Sequence, residues 1–157
     1  VRNNGTADPV ADNDFRNITS QQGFTLSIAV GDVDGDGDLD VLSGGHNSNR
    51  RTWLFLNDGT PDMFDDSWPP VGVIEVSEDE DTTASLALAD MDGDGDLDLV
   101  AGNLDTPNRL YLNNGTADPW NGVTGSDITS DSHYTYSVAL DDVDGDRSEE
   151  RRVGKEG

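Results

Sequence analysis

Cysteine is absent from this 157-residue chain, and lysine occurs once, at Lys155. Without cysteine there is no disulfide framework and no thiolate to act as nucleophile or metal ligand. Basic side chains are scarce altogether: nine Lys and Arg stand against 33 Asp and Glu, a formal charge of −24. Nucleic acid and anionic membrane surfaces need basic patches that release counterions, so this field excludes both as partners. No stretch reaches the ~18 apolar residues of a membrane helix, so no direct membrane insertion is expected. Histidine is limited to His46 and His133, and no GxSxG, HExxH or phosphate-cradling glycine loop occurs. His46 follows Gly44-Gly45 and His133 precedes a strand in Ser/Asp-rich sequence, so both read as loop residues. Catalysis needs a base or nucleophile constellation in a cleft; the chain is read as non-enzymatic, with no catalytic residue assigned.

A hydrophobic fraction of 32% is low enough to raise disorder as an alternative. Periodicity argues against it. Leu26-Ser27-Ile28-Ala29-Val30-Gly31 leads into DVDGDGDLDVLSGG at 32–45, and Ala84-Ser85-Leu86-Ala87-Leu88-Ala89 leads into DMDGDGDLDLVAGN at 90–103. A third copy begins Tyr136-Ser137-Val138-Ala139-Leu140-Asp141 and continues DVDGD at 142–146. A second block recurs as WLFLNDGTPD (53–62) and RLYLNNGTADP (109–119), and its tail NNGTADP also stands at 3–9. The acidic stretches start at 32, 90 and 142, spacings of 58 and 52 residues, which marks a repeat of about 55 residues.

Each repeat reads as β structure. Leu26, Ile28 and Val30 alternate with small residues, as do Tyr136, Val138 and Leu140, the period of a half-buried strand. Leu39–Leu42 is a second strand, Trp53–Leu56 and Leu110–Leu112 a third, and Val73–Val76 a fourth. Asp58-Gly59 and Asn114-Gly115 supply the positive φ of a tight hairpin turn. Trp68 and Trp120 are read either as wedges between sheets or as platforms for sugar stacking.

Aspartate supplies 27 of the 33 acidic residues, and its densest array is D-x-D-G-D-G-D-L-D at 32–40 and 90–98. Calcium takes six to eight hard oxygens in a flexible shell, which short loops offer from alternating positions. Asp32, Asp34, Asp36 and Asp40 fit as side-chain ligands with the Asp38 carbonyl, and Asp90, Asp92, Asp94 and Asp98 with the Asp96 carbonyl. Gly37 and Gly95 let the backbone curl around the ion. One Ca²⁺ is expected per complete loop, two in all; magnesium, which demands octahedral geometry, fits less well. An EF-hand shares the opening but needs flanking helices and a Glu at loop position twelve, where this chain has Ser43 and Ala101.

These elements together resemble the FG-GAP/VCBS repeat found in integrin α-chain propellers and in many bacterial and archaeal surface proteins: an apolar strand, DxDGDGxxD, a second strand ending in Gly, then Φ-Tyr/Phe-Leu-Asn-x-Gly. The resemblance implies an all-β fold, a partial β-propeller of about two and a half four-stranded blades, within a toroid of about seven. Residues 1–22 would end a preceding repeat, 23–80 and 81–131 form two blades, and 132–146 start a truncated one. In the third copy Asp142, Asp144 and Asp146 are present but the later ligands are not. Residues 147–157, RSEERRVGKEG, carry four of the nine basic residues and break the pattern. They resemble the in-frame translation of a short-read sequencing adapter and are read as a non-native tail; a divergent natural C terminus is the alternative. The family implies an extracellular or cell-surface module for adhesion, recognition or scaffolding. Its partners would be a protein or glycan ligand and the remaining blades of the parent chain. The competing reading is the propeller portion of a secreted polysaccharide lyase or hydrolase.

Overall fold

A computed structural model of the chain describes residues 23–47, 50–57, 59, 73–141 and 150–153. The elements, in order, are β1 (Gly23–Gly31), β2 (Asp40–Asn47), β3 (Trp53–Phe55), β4 (Val73–Glu75), β5 (Thr82–Ala89), β6 (Asp98–Leu104), β7 (Arg109–Tyr111), β8 (Ser126–Asp127), β9 (Val138–Asp141) and β10 (Glu150–Val153). No helix occurs among the described residues, and none is long and apolar enough to cross a membrane. The strands form two four-stranded sheets, β1-β2-β3-β4 and β5-β6-β7-β8, and a β9-β10 hairpin. Every neighbouring pair is antiparallel. Each sheet is a meander, the topology that short connections between sequential strands favour.

The two sheets share one core. Val33, Leu42, Leu54 and Val76 of the first repeat cluster with Leu86, Leu99, Ala101, Tyr111 and Trp120 of the second. The internal repeat explains which residues are buried. Leu86 of β5 is 7% exposed because β5 packs against β1 and β2, whereas its counterpart Ile28 in β1 is 61% exposed. Val30 and Leu39 are exposed for the same reason: no sheet lies against that face of β1 among the described residues. The apolar residues of the lead-in strands are therefore buried or half-buried at Leu86 and Leu88 in β5 and at Val138 and Leu140 in β9, but exposed at Leu26, Ile28 and Val30 in β1.

The serine common to the lead-ins has a structural role. Pairing shifts register between Thr25 and Ser27 in β1 and between Thr83 and Ser85 in β5, a β-bulge that re-aims the following side chain. Ser27 Oγ then accepts the Leu86 N–H at 3.0 Å, and Ser85 Oγ accepts the Val138 N–H at 3.0 Å. Each serine thus bonds to the first strand of the next repeat. Glycine inside the second strand makes room for the next repeat. A Cβ on Gly44 would stand 2.9 Å from Thr83 Cγ2, and one on Gly102 would stand 2.9 Å from Thr135 Cγ2.

Three expectations need correction. His46 lies within β2, opposite Phe24, not in a loop. Gly59 and Gly115 do have positive φ, 69° and 68°. Asn114-Gly115, however, turns inside a long connection from β7 to β8 rather than forming a tight hairpin, because the chain must first bring Trp120 back under the sheet. Trp120 is only 2% exposed, which removes it as a sugar platform. Asp58, Trp68, residues 1–22 and most of 147–157 lie outside the described residues; Glu150–Val153 pairs with β9.

Candidate metal centres

The two acidic stretches are the β1–β2 and β5–β6 connections, built alike. The first aspartate organises the loop from inside. Asp32 Oδ1 accepts the Gly35 N–H at 2.9 Å and Oδ2 the Gly37 N–H at 3.0 Å. Asp90 accepts from Gly93, Asp94 and Gly95 at 2.7, 3.1 and 3.0 Å. These bonds need sharp backbone reversals, and Gly35, Gly37, Gly93 and Gly95 have φ of 76°, 96°, 82° and 99°, conformations that favour glycine.

The last aspartate closes the loop from its buried end. Asp40, at the start of β2, accepts the Val33 N–H at 2.9 Å and the Asn57 N–H at 2.8 Å. Asp98, at the start of β6, accepts from Met91 and Asn113, both at 2.7 Å. Asn57 and Asn113 are the asparagines of the repeated Leu-Asn-x-Gly block, and each also bonds the carbonyl just before the closing aspartate, Asn57 to Leu39 at 3.2 Å and Asn113 to Leu97 at 3.1 Å. Sequence reading assigned no role to these asparagines or to the lead-in serines. The available signal was their recurrence at matched places in both repeats.

The outcome is two carboxylate triads, Asp32/Asp34/Asp40 and Asp90/Asp92/Asp98, with one oxygen from each residue lying within 4.8 Å of the others. Asp36 and Asp94 stand outside these triads and accept the N–H of Asp38 and Asp96, each at 2.9 Å. The Asp38 carboxylate is directed at Gly59 and the Asp96 carboxylate at Gly115, toward the turn after the third strand. Asp142, Asp144 and Asp146 lie outside the described residues. All donors in the triads are hard oxygens around glycine-rich turns, a set able to hold a metal ion and compatible with calcium.

Asp40 and Asp98 are 0% and 1% exposed. Burial raises both carboxyls above the ordinary 3.8; the N–H bonds from Asn57 and Val33, and from Asn113 and Met91, pull back, while nearby aspartates add to the rise. Asp34 is also raised, first by desolvation and then by Asp36 and Asp32. The folded chain therefore holds protons that the unfolded chain has released. The destabilising contribution is full above the folded-state values and is relieved as pH falls toward 3.8. Stripped of metal, the chain is expected to show a higher urea midpoint near pH 4.5 than at pH 7. Saturating calcium is expected to reverse the order, because proton and cation compete for the same oxygens. A metal-free midpoint that only falls on acidification would contradict this.

The model of the FG-GAP-like repeat matches the chain twice, over residues 32–101 and 90–150. The chain belongs to the FG-GAP-like repeat family. No curated protein matches it. Both matches take in an acidic loop, the strand that follows it and the Leu-Asn-x-Gly block, and they run from one repeat into the next. The first match takes in Gly44, Asn57 and Ser85 and the second Gly102 and Asn113, while Ser27 lies before the first of them.

Beyond the triads, a charged network braces the outer strands. Arg109 stands 3.1 Å from Asp127 on β8 and 3.6 and 3.7 Å from Asp81 and Asp79 before β5. The Tyr111 hydroxyl donates to Asp79 at 3.0 Å. In the first sheet Arg51 pairs with Glu75. His133 is exposed and lies 3.6 Å from Asp131.

Proposed function

We propose that the chain is a calcium-stabilised β-propeller module of a larger extracellular protein, secreted or held at the cell surface, where it acts in adhesion, recognition or scaffolding. The observation that carries this reading is the duplication of the carboxylate triad, at the same place in two consecutive repeats, each sealed by its own asparagine. A metal present once per repeat acts as a staple for a small blade without disulfides. Family membership supports the propeller, and so does the packing of β5 on β1 and of β9 on β5, first strand against first strand. The apolar face of β1 that no described sheet covers is the side on which another blade of the parent chain would sit. An extracellular setting suits open loops whose outer aspartates face solvent, since such modules bind calcium at about 10⁻⁴–10⁻³ M. A protein or glycan would be the ligand of the full propeller.

Calorimetric titration of the 157-residue chain tests the central claim. Two calcium ions are expected to bind in that range, with magnesium failing to displace them at equal concentration. Absence of binding would overturn the reading.

A further inference from the structure

The two triads are joined by a short chain of hydrogen bonds. Val33 stands between Asp32 and Asp34 in sequence, and its N–H is held by Asp40, so all three members of the first triad fix its position. The Val33 carbonyl accepts the Asn113 amide at 2.8 Å, across the junction between repeats. The same amide bonds the carbonyl of Leu97, the residue before Asp98, at 3.1 Å, and the Asn113 backbone N–H bonds Asp98 itself at 2.7 Å. Asn113 is buried, so water does not compete well for these bonds.

We infer that Asn113 couples the two metal loops, so that calcium in one raises the affinity of the other. The inference rests on the calcium reading above. Filling the first loop draws Asp32, Asp34 and Asp40 onto the ion and thereby fixes the Val33 carbonyl. That carbonyl orders the Asn113 amide, and the ordered amide holds Leu97 and Asp98 where the second ion needs them. The ordering is then shared between two binding events, which is positive cooperativity, and linkage makes it reciprocal. Asn57 is a built-in control. It makes the matching bonds inside its own repeat, to Asp40, to Leu39 and to the Gly59 N–H, and none of these bonds reaches the second acidic loop.

The test is calcium titration of the full chain, with Asp32→Asn/Asp34→Asn isolating the second loop and Asp90→Asn/Asp92→Asn the first. In the wild type the product of the two stepwise association constants is expected to exceed the product of the single-loop constants by about fivefold or more. Asn113→Ala, measured in the same three backgrounds, is expected to bring that ratio to one or below, whereas Asn57→Ala keeps it. Mutual repulsion of the two ions is common to all variants and cancels in the comparison. Should Asn113→Ala fail to fold, Asn113→Asp keeps the oxygen that accepts the Gly115 N–H and removes both amide donors. Two bound ions with a wild-type ratio of one would overturn the coupling and leave the calcium reading standing. Equal loss of the ratio in the Asn57 and Asn113 variants would overturn the bridge. No calcium bound at either loop would overturn both.

Discussion

Transferring the full chain from calcium at ~100 times its dissociation constant to chelator, at constant ionic strength, is expected to lower its melting temperature by roughly 15 °C. A ligand at ~100 times its dissociation constant stabilises the folded state by about 2.7 kcal/mol, so two loops contribute about 5 kcal/mol. For a chain of this length 1 kcal/mol corresponds to about 2–4 °C. The structure gives the reason for the sensitivity. Each loop gathers three carboxylates within 4.8 Å, and one of them, Asp40 or Asp98, is almost fully buried. Without a cation those charges repel and pay a desolvation penalty that two N–H bonds only partly offset. Holding ionic strength fixed matters because a net charge of −24 makes any added salt stabilising by screening alone. Magnesium is expected to recover less than half of the shift, since it gives up its waters reluctantly. Superimposable melting curves in calcium and in chelator would show that neither loop holds the metal.

Strand positions and acidic loops were legible in the sequence because both are local. Period-two alternation located β1 and β9, the repeated frame located β5, and the aspartate–glycine spacing located both triads, since a nine-residue loop leaves few ways for its carboxylates to converge. Which aspartates converge was less legible. Asp36 and Asp94 look equivalent to their neighbours in sequence, yet they accept N–H groups of their own loop and stand apart from the triads. Burial of the lead-in strands was not legible either. Ile28 and Leu86 occupy the same place in the same pattern, and only the presence of a neighbouring sheet distinguishes a residue 61% exposed from one 7% exposed. The contacts between repeats were the least legible, because Ser27, Ser85, Gly44, Gly102 and Asn113 act at long range. Their bonds and close approaches span 33 to 80 residues, and no local periodicity reports them. Recurrence was the one available clue, and it marks such residues without saying what they touch.

Trp120 shows how such a long-range contact sets stability, and replacing it with alanine is expected to cost about 3–5 kcal/mol. The side chain comes from the long β7–β8 connection, not from a strand, and is held there by the Asn114 N–H to Pro119 carbonyl bond and by its own Nε1–H, which donates to the Tyr111 carbonyl at 3.3 Å. It packs in the cluster that joins Leu54 and Val76 of the first sheet to Leu99 and Tyr111 of the second. Truncation therefore opens a cavity at the junction of two repeats, where neither sheet can collapse alone to fill it. The measurement is urea unfolding in saturating calcium, with Trp120→Phe expected to recover more than half of the loss by keeping most of the ring volume. A side chain serving only as a platform for a ligand would behave differently: its removal would leave the unfolding midpoint within ~0.5 kcal/mol of wild type. The calcium dependence sharpens the comparison. Typical stabilities are about 5–15 kcal/mol, so at the lower end of that range a variant lacking this wedge and also deprived of about 5 kcal/mol of metal binding is left near or below zero. Trp120→Ala is accordingly expected to be folded in saturating calcium and largely unfolded in chelator at 25 °C, with near-ultraviolet circular dichroism as the readout.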